Sequence, residues 1–317
     1  MPKGTISVGI EIDSQSIRAA KIACGKSTAP GAMRMLLVEE ITGTFTKDEE
    51  IIEGLGNLRQ KLSIGSTDTV VTCVGGKQAY AAQLNFRKMP DDEMKTALKF
   101  EIRKNLSFDT AGATVEYQFL AEPPQKNDPA PVIVTAVANV LLQRTLRLFE
   151  KAGIPPTIVD VFPLVVANAN WSATTAGNGA AEAVTVLHIG PDYSTLVIDG
   201  AAAPFYNRTI YFSAAELFGA TAGEGLAARE IERRITGFTE EINRSITFYE
   251  GTYKAKTAAG PIMVTGTFCL PELLAKITQD IGLATSIITI PGIERPNAAQ
   301  HSERFNIAIT LGMRGCA

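Results

Sequence analysis

Apolar side chains at Ile6, Val8, Ile10 and Ile12 alternate with small or polar ones, the period of a half-buried strand. Asp13-Ser14-Gln15-Ser16 breaks the alternation and Ile17 to Ile22 resumes an apolar run, so this segment spells strand, tight polar turn, strand. Val184 to Ile198 spells the same thing again, with Gly190-Pro191-Asp192 at the turn. A cluster of Gly, Ser, Asp or Pro between β-branched runs is hairpin chemistry. The two hairpins open halves of comparable length, an internal echo that points to two related lobes.

Between the hairpins, Val70 to Val74 predicts a short strand. Met89-Pro90-Asp91-Asp92-Glu93 opens a helix running to about Asn105, since proline and acids both suit a helix N-terminus. A strand over Val115–Leu120, a proline-bearing loop over Pro123–Pro131 and a buried strand over Val132–Val137 follow. A helix from about Leu141 to Ala152 stops at Gly153, with Pro155-Pro156 enforcing the end. This middle block predicts a small α/β subdomain. Ile158 to Phe162 leads into a helical stretch to about Asn170, and the small-residue-rich Ser172–Ala183 is the expected linker. Beyond the second hairpin, Ile231, Ile235, Phe238, Ile242, Ile246 and Tyr249 form a helical stripe interrupted at Gly237, which fits one or two helices. Strands over Ile262–Thr265 and Ser286–Ile290, a helix over Leu270–Ile281 and a last helix near Phe305–Met313 complete the pattern.

Composition narrows the function classes. A chain of 317 residues, 45% hydrophobic and 20% charged, is long enough for two domains. The net charge of −3, with acids and bases interspersed, provides no footprint for nucleic acid. His188 and His301 are the only histidines, which excludes a multi-histidine metal centre. Cys24, Cys73, Cys269 and Cys316 are far apart, lack CxxC spacing and are expected to be reduced. Residues 1–6 carry no signal-peptide core, and the longest apolar run, Val132–Leu142, is too short for a bilayer, so a cytoplasmic chain is expected.

Candidate chemistry lies in the turns. Backbone N–H groups at a hairpin tip, free of ladder bonds, can converge on an anion. Ile12–Ser16, Ile189–Thr195 and Thr265-Gly266-Thr267 supply two such tips and a later glycine turn, in the order needed to grip a nucleotide across a cleft. Glu11 and Asp13 project from one strand face, as an acidic pair or as a solvated tip. Gly25-Lys26-Ser27-Thr28 is not a P-loop: Ala20 stands where the leading glycine is required, and no helix pattern follows.

These three segments resemble the phosphate-one, phosphate-two and adenosine motifs of the actin-like ATPase superfamily, and within it the chain resembles the PilM family of type IV pilus assembly proteins. The resemblance is carried by Val8-Gly-Ile-Glu-Ile-Asp-Ser-Gln-Ser-Ile-Arg18, Lys88-Met-Pro-Asp-Asp-Glu-Met94, Phe100 to Phe108, Glu116 to Leu120, Leu148 to Ile154, Val159 to Val161, Glu241 to Phe248 and Leu311-Gly-Met-Arg-Gly315. It implies an α/β, two-lobed actin/Hsp70-like (ribonuclease H-like) fold. The first lobe would take 1–170 with an inserted subdomain at about 66–159, the linker 171–183, the second lobe 184–303, and a C-terminal helix, 304–317, would return to the first lobe. It implies ATP with Mg2+ between the lobes, and a partner, the cytoplasmic tail of a PilN-like inner-membrane protein, bound in a groove near the insertion. Other pilus platform proteins and motor ATPases are further expected partners.

Carried over by position, Asp13, Ser14, Gln15, Ser16 and Arg18 would meet the first phosphate site, and His188, Gly190 and Ser194 the second. Gly266 and Thr267 would meet the nucleoside, with Glu241 and Arg244 facing the cleft. Glu11 is the candidate metal ligand, and Glu11 and Asp192 the candidate catalytic acids. Three departures from the family pattern stand out: Asp13 replaces a glycine, His188 replaces an acid, and Gly266 alone remains of a glycine-rich third motif. They lead to the expectation of a scaffold with degenerate or weak ATP binding. An active ATPase or phosphotransferase using Asp192, a GspL-like secretion domain, and a filament former are the alternatives.

Overall fold

The computed structural model describes residues 5–25, 33–123, 125, 128–174, 183–200, 203–218, 228–254, 261–290 and 302–316. Lys26 to Thr28, most of the expected linker (175–182) and His301 lie outside these residues. Strands β1 (Ile6–Ile12), β2 (Ser16–Ala23) and β3 (Arg34–Thr42) form an antiparallel meander, helix α1 (Asp48–Lys61) crosses over, and β4 (Thr69–Val74) pairs parallel to β1. The chain then leaves this sheet for β5 (Ala79–Phe86), α2 (Asp91–Ile102), β6 (Ala113–Phe119) and β7 (Ala130–Ala138), which pair in the order β5-β7-β6. It re-enters through α3 (Asn139–Lys151) and β8 (Ile158–Val161), giving a first sheet ordered β3-β2-β1-β4-β8.

Helix α4 (Phe162–Thr174) leads to the second half: β9 (Val184–Ile189), β10 (Ser194–Gly200), β11 (Ala203–Ile210), α5 (Ala214–Phe218), α6 (Ala228–Tyr253), β12 (Ile262–Gly266), α7 (Pro271–Ile281) and β13 (Thr285–Ile287). Its sheet order, β11-β10-β9-β12-β13, repeats the first: a meander of three antiparallel strands extended by two parallel ones. The last helix, α8 (Asn306–Arg314), packs on β1, β2 and β4.

Local sequence explains the elements. Ile51, Leu55 and Leu58 fall on one face of α1 and pack with Leu148 and Phe149 of α3, while Glu50 accepts the backbone N–H groups of Thr46 and Lys47 at the helix start. Helix α6 is continuous through Gly237. The cost of a mid-helix glycine, about 1 kcal/mol, is outweighed by burial of Phe238, Ile242, Ile246 and Tyr249 against the second sheet and α7. The expected linker start at 171 falls within α4.

One core joins the halves. Ile22 and Val71 of the first sheet, Val165 and Val166 of α4, Ile307 and Leu311 of α8, and Val186 and Val197 of the second sheet belong to the same buried cluster. Helix α8 lies so close to β1 that a Cβ on Gly9 would collide with the Ala308 carbonyl oxygen and the Gly312 nitrogen. No helix among the described residues is long and apolar enough to cross a membrane.

The cysteine expectation is corrected. Cys24, just past β2, and Cys316, just past α8, form a disulfide with Cα atoms 5.2 Å apart, although 292 positions separate them in the chain. Sequence spacing could not show this, because the contact exists only once α8 has docked on the first sheet. Cys73 and Cys269 are free thiols, and burial pushes both thiol pKa values upward.

Two outcomes are expected. Gly9→Val should lower the unfolding free energy by about 3 kcal/mol or more, read from urea melts, because strand and helix must separate to admit the side chain. Unfolded but unreduced protein should titrate two thiols with a chromogenic disulfide reagent, and all four only after reduction; four thiols at the outset would refute the Cys24–Cys316 bond.

Candidate functional site at the junction of the two hairpins

The β1–β2 and β9–β10 turns face one another where the two sheets meet, and the structure brings most of the sequence-selected residues together there. At the centre is Arg18 of β2, whose side chain is 1% exposed. Its Nε donates to Glu11 Oε2 at 3.1 Å, its terminal nitrogens donate to Asp13 Oδ2 and Ser16 Oγ, and Glu40 of β3 lies 3.6 Å away. Glu40 is in turn paired with Arg304 at 2.8 Å. Glu11 and Arg18 are cross-strand partners in the β1–β2 register, which places their side chains on one sheet face.

Burial on its own would raise the Glu11 pKa. The adjacent Arg18 charge and the nearby His188 imidazole outweigh it and bring the carboxyl down from 4.5 to about 2. Arg18 is likewise held in its charged form by Glu11 and Asp13 against its own desolvation. Three carboxylates therefore surround two guanidinium groups, so each of these cations has an acid of its own chain beside it.

The donors at the tip of the first hairpin are taken up by carboxylates, one from its own turn and one from the second hairpin. Asp13 Oδ1 accepts the backbone N–H groups of Gln15 and Ser16, each at 2.8 Å. Across the junction, Asp192 accepts from Ser14 Oγ at 2.6 Å and from the Ser14 backbone N–H at 3.4 Å. The donors that the sequence suggested for an anion at the first tip are thus bound to side chains of the protein itself.

His188 of β9 is 4% exposed, and neither ring nitrogen has a hydrogen-bond partner among the described residues. Its Nε2 is 3.7 Å from Glu11 Oε1, and Phe162 meets its ring edge to face at 4.9 Å between centroids. His188 and Phe162 wall a cavity of about 90 Å³ together with Glu11, Asp13, Cys73 and Tyr193. Cofactor pockets are typically about 300–1,000 Å³, several times larger.

Gly190 lines the same cavity, and Ser194 is buried at the start of β10 with its hydroxyl unpaired. Gly266 ends β12 at φ +115°, where a Cβ would strike the Ile189 carbonyl, so this glycine serves the close approach of β12 to β9. The Thr267 hydroxyl beside it is buried without a partner. Glu241 and Arg244 are not part of the cluster: they sit on α6, where Glu241 bonds Arg208 of β11 and Arg244 bonds Glu241. Among the described residues no group of three or more His, Cys, Asp or Glu side chains could hold a metal ion. Sequence reading missed Glu40, Arg304 and Phe162, whose strands and helices show no turn signature, and named the Ile189–Thr195 turn without singling out Tyr193; the strand-like run Met35–Glu40 was the one available hint for Glu40.

Comparison with known proteins matches this geometry. Among solved structures, the PilM–PilN type IV pilus biogenesis complex aligns with a TM-score of 0.82 and 17% identity, covering 98% of this chain and 98% of that chain. The ethanolamine utilization protein EutJ from Carboxydothermus hydrogenoformans aligns with a TM-score of 0.54 and 11% identity, over 97% of this chain and 89% of that one. At these identities the likeness shows the fold, the two-lobed actin-like ATPase arrangement. None of the curated proteins matches the sequence. A family model described as type IV pilus assembly protein PilM matches residues 9–220, more than half of the chain. With its duplicated sheets and facing hairpins, this chain belongs to the PilM family of type IV pilus assembly proteins.

Proposed function

We propose that this protein is a nucleotide-independent scaffold of a type IV pilus, or related secretion, assembly platform, held at the inner membrane by the cytoplasmic tail of a PilN-like protein. The observation that carries the reading is the occupation of the first hairpin's tip by carboxylates from both hairpins. Asp13 takes the N–H groups of its own turn, and Asp192 takes the Ser14 donors across the junction. A phosphate entering here must displace carboxylates from charge-assisted hydrogen bonds and would meet Glu11, Asp13, Glu40 and Asp192. Arg18, the cation best placed to receive it, is already committed to acids on its own sheet.

In this reading the Ser14–Asp192 bonds do part of what a nucleotide would do, joining one hairpin to the other from within. Mg-ATP does not fit the cavity bounded by Glu11, Asp13 and His188, and no chemical step is assigned to it. Binding a tail peptide needs neither metal nor nucleotide, and the PilM–PilN complex is the solved structure to which this chain aligns over nearly its full length.

Calorimetric titration with Mg-ATP and with a synthetic peptide copying the PilN-like tail of the same organism tests this directly. Heat from the peptide and none from up to millimolar Mg-ATP is expected; micromolar ATP affinity would overturn nucleotide independence, and silence from the peptide would overturn the partner.

The pH response follows from the ion cluster. Glu11 is held below its ordinary pKa in the folded protein, so its contribution to stability is complete above about pH 4.5 and lost as pH falls toward about 2. Arg18→Met removes the countercharge and leaves burial dominant, so Glu11 then prefers its proton and its contribution is lost as pH rises. The variant should be less stable than wild type by about 3–5 kcal/mol at neutral pH. Urea melts should show it more stable at about pH 5 than at about pH 7.5; a pH profile parallel to wild type would show that Arg18 does not control these acids.

A further inference from the structure

Helix α8 is a strut between the lobes. All eight residues from Asn306 to Met313 are buried. At its first turn the Asn306 amide donates to Thr265 Oγ1 at 3.1 Å and to the Ile288 carbonyl at 2.9 Å, both in the second lobe. The Thr265 hydroxyl in turn donates to the Glu303 carbonyl at 3.1 Å. Along its length the helix packs on β1, β2 and β4 of the first lobe. Leu311, Met313 and Arg314 also form one wall of a hollow of about 490 Å³ where the inserted sheet, the first lobe and the second sheet converge. Just past its last turn, Cys316 is bonded to Cys24.

The place of that bond changes how the lobes are connected. The chain passes from the first lobe to the second after α4 and returns before α8. Without the bond, α8 is joined to the first sheet by packing alone; with it, the chain leaving the second lobe is fastened covalently to β2. Strand β2 is then flanked by two ties, Ser14 to Asp192 before its first residue and Cys24 to Cys316 after its last. The bond is also within reach of solvent: Cys24 and Cys316 are both partly exposed, and Gly25 beside Cys24 is exposed. The two free thiols compete poorly for exchange, because burial favours the protonated form of Cys73 and Cys269 and only a thiolate attacks a disulfide.

We infer that Cys24–Cys316 is a reversible exchange site for low-molecular-weight thiols, a clasp whose state sets how firmly α8 holds the two lobes together. To open it, the thiolate of a monothiol attacks one sulfur, a mixed disulfide forms, and the other cysteine leaves as a thiolate that takes up a proton. A second monothiol attacks the mixed disulfide, so two monothiols become one small disulfide and the protein gains two electrons and two protons. Closure is intramolecular, since the buried face of α8 keeps the two cysteines neighbours, with Cα atoms 5.2 Å apart when bonded. Once the clasp is open, the end of α8 retains its apolar packing and the 3.7 Å pair of Arg314 with Asp160, in which Arg314 is 52% exposed and screened by water. The last turn then frays at lower cost than in the clasped form, and the wall of the hollow loosens with it. The clasp acts on the lobes themselves and requires neither tail peptide nor nucleotide.

The test uses the full chain, oxidised and then equilibrated under native conditions with mixtures of reduced and oxidised glutathione. Alkylation with peptide mapping follows the thiols, hydrogen exchange follows residues 306–314, and thermal unfolding follows stability. As reduced glutathione rises, Cys24 and Cys316 should become labelled together while Cys73 and Cys269 stay protected. The α8 amides should then exchange about tenfold faster, and the melting temperature should fall by about 5 °C or more. Return to oxidised glutathione should reverse all three changes. Cys316→Ser should reproduce the α8 exchange and melting temperature of reduced wild type, with no further response to the glutathione ratio. Cys24→Ser should match it, which separates loss of the bond from loss of either side chain. Resistance of Cys24 and Cys316 to millimolar reduced glutathione in the folded protein would overturn the exchange site, and reduction that leaves α8 exchange unchanged would overturn the clasp.

Discussion

A guanidinium withdrawn from water is tolerated only when carboxylates and hydroxyls replace its hydration, and much of this structure follows from meeting that condition for Arg18. Glu11 lies across the β1–β2 ladder, Asp13 and Ser16 are in the intervening turn, and Glu40 comes from β3. Asp13 is committed to Arg18 on one oxygen and to two backbone N–H groups on the other, which favours this conformation of the turn. That conformation presents Ser14 outward to Asp192, and the second hairpin is fixed relative to the first. The ion cluster is thus both local glue for one hairpin and the origin of a bond between the halves.

The same elements serve the junction and the hollow. Strand β10 begins at Ser194 beside the hairpin tip and carries Asp199, one residue before its end, in the wall of the hollow. Helix α4 begins at Phe162, whose ring meets His188, and two residues later presents Leu164 to the hollow. Helix α8, seated on β1 through Gly9 and Gly312, lines the hollow with Leu311, Met313 and Arg314. The walls of that hollow belong to elements already pinned by a shared apolar core and, for α8, by the Cys24–Cys316 bond.

Much of the fold was legible because the two hairpins carry their turn chemistry in contiguous residues. Asp13 to Ser16 and Gly190 to Asp192 announce turns by residue type alone, and the alternation of Ile6 to Ile12 fixes which face is buried. Strands β3, β5 and β11 were not read, since Arg34–Thr42, Ala79–Phe86 and Ala203–Ile210 mix polar and apolar residues on surfaces only half covered. Gly237 suggested a break in α6 that tertiary packing overrides. At the candidate site, Asp13 was recognised as foreign to a phosphate loop, but its bonds to Gln15 and Ser16, and the pairing of Arg18 with it, depend on side-chain directions that no spacing rule specifies.

By itself the sequence determined the duplicated α/β architecture, the hairpin turns and the residue types gathered at them, because these depend on periodicity and local backbone preference over a few neighbouring positions. Only the tertiary structure decided that Arg18 is buried among three acids, that Ser14 meets Asp192 across 178 positions, and that Cys24 bonds Cys316 across 292. Each of those facts concerns charge or contact between residues distant in the chain. Ion pairing and desolvation act over a few ångströms of space, and the fold alone sets which residues share that distance.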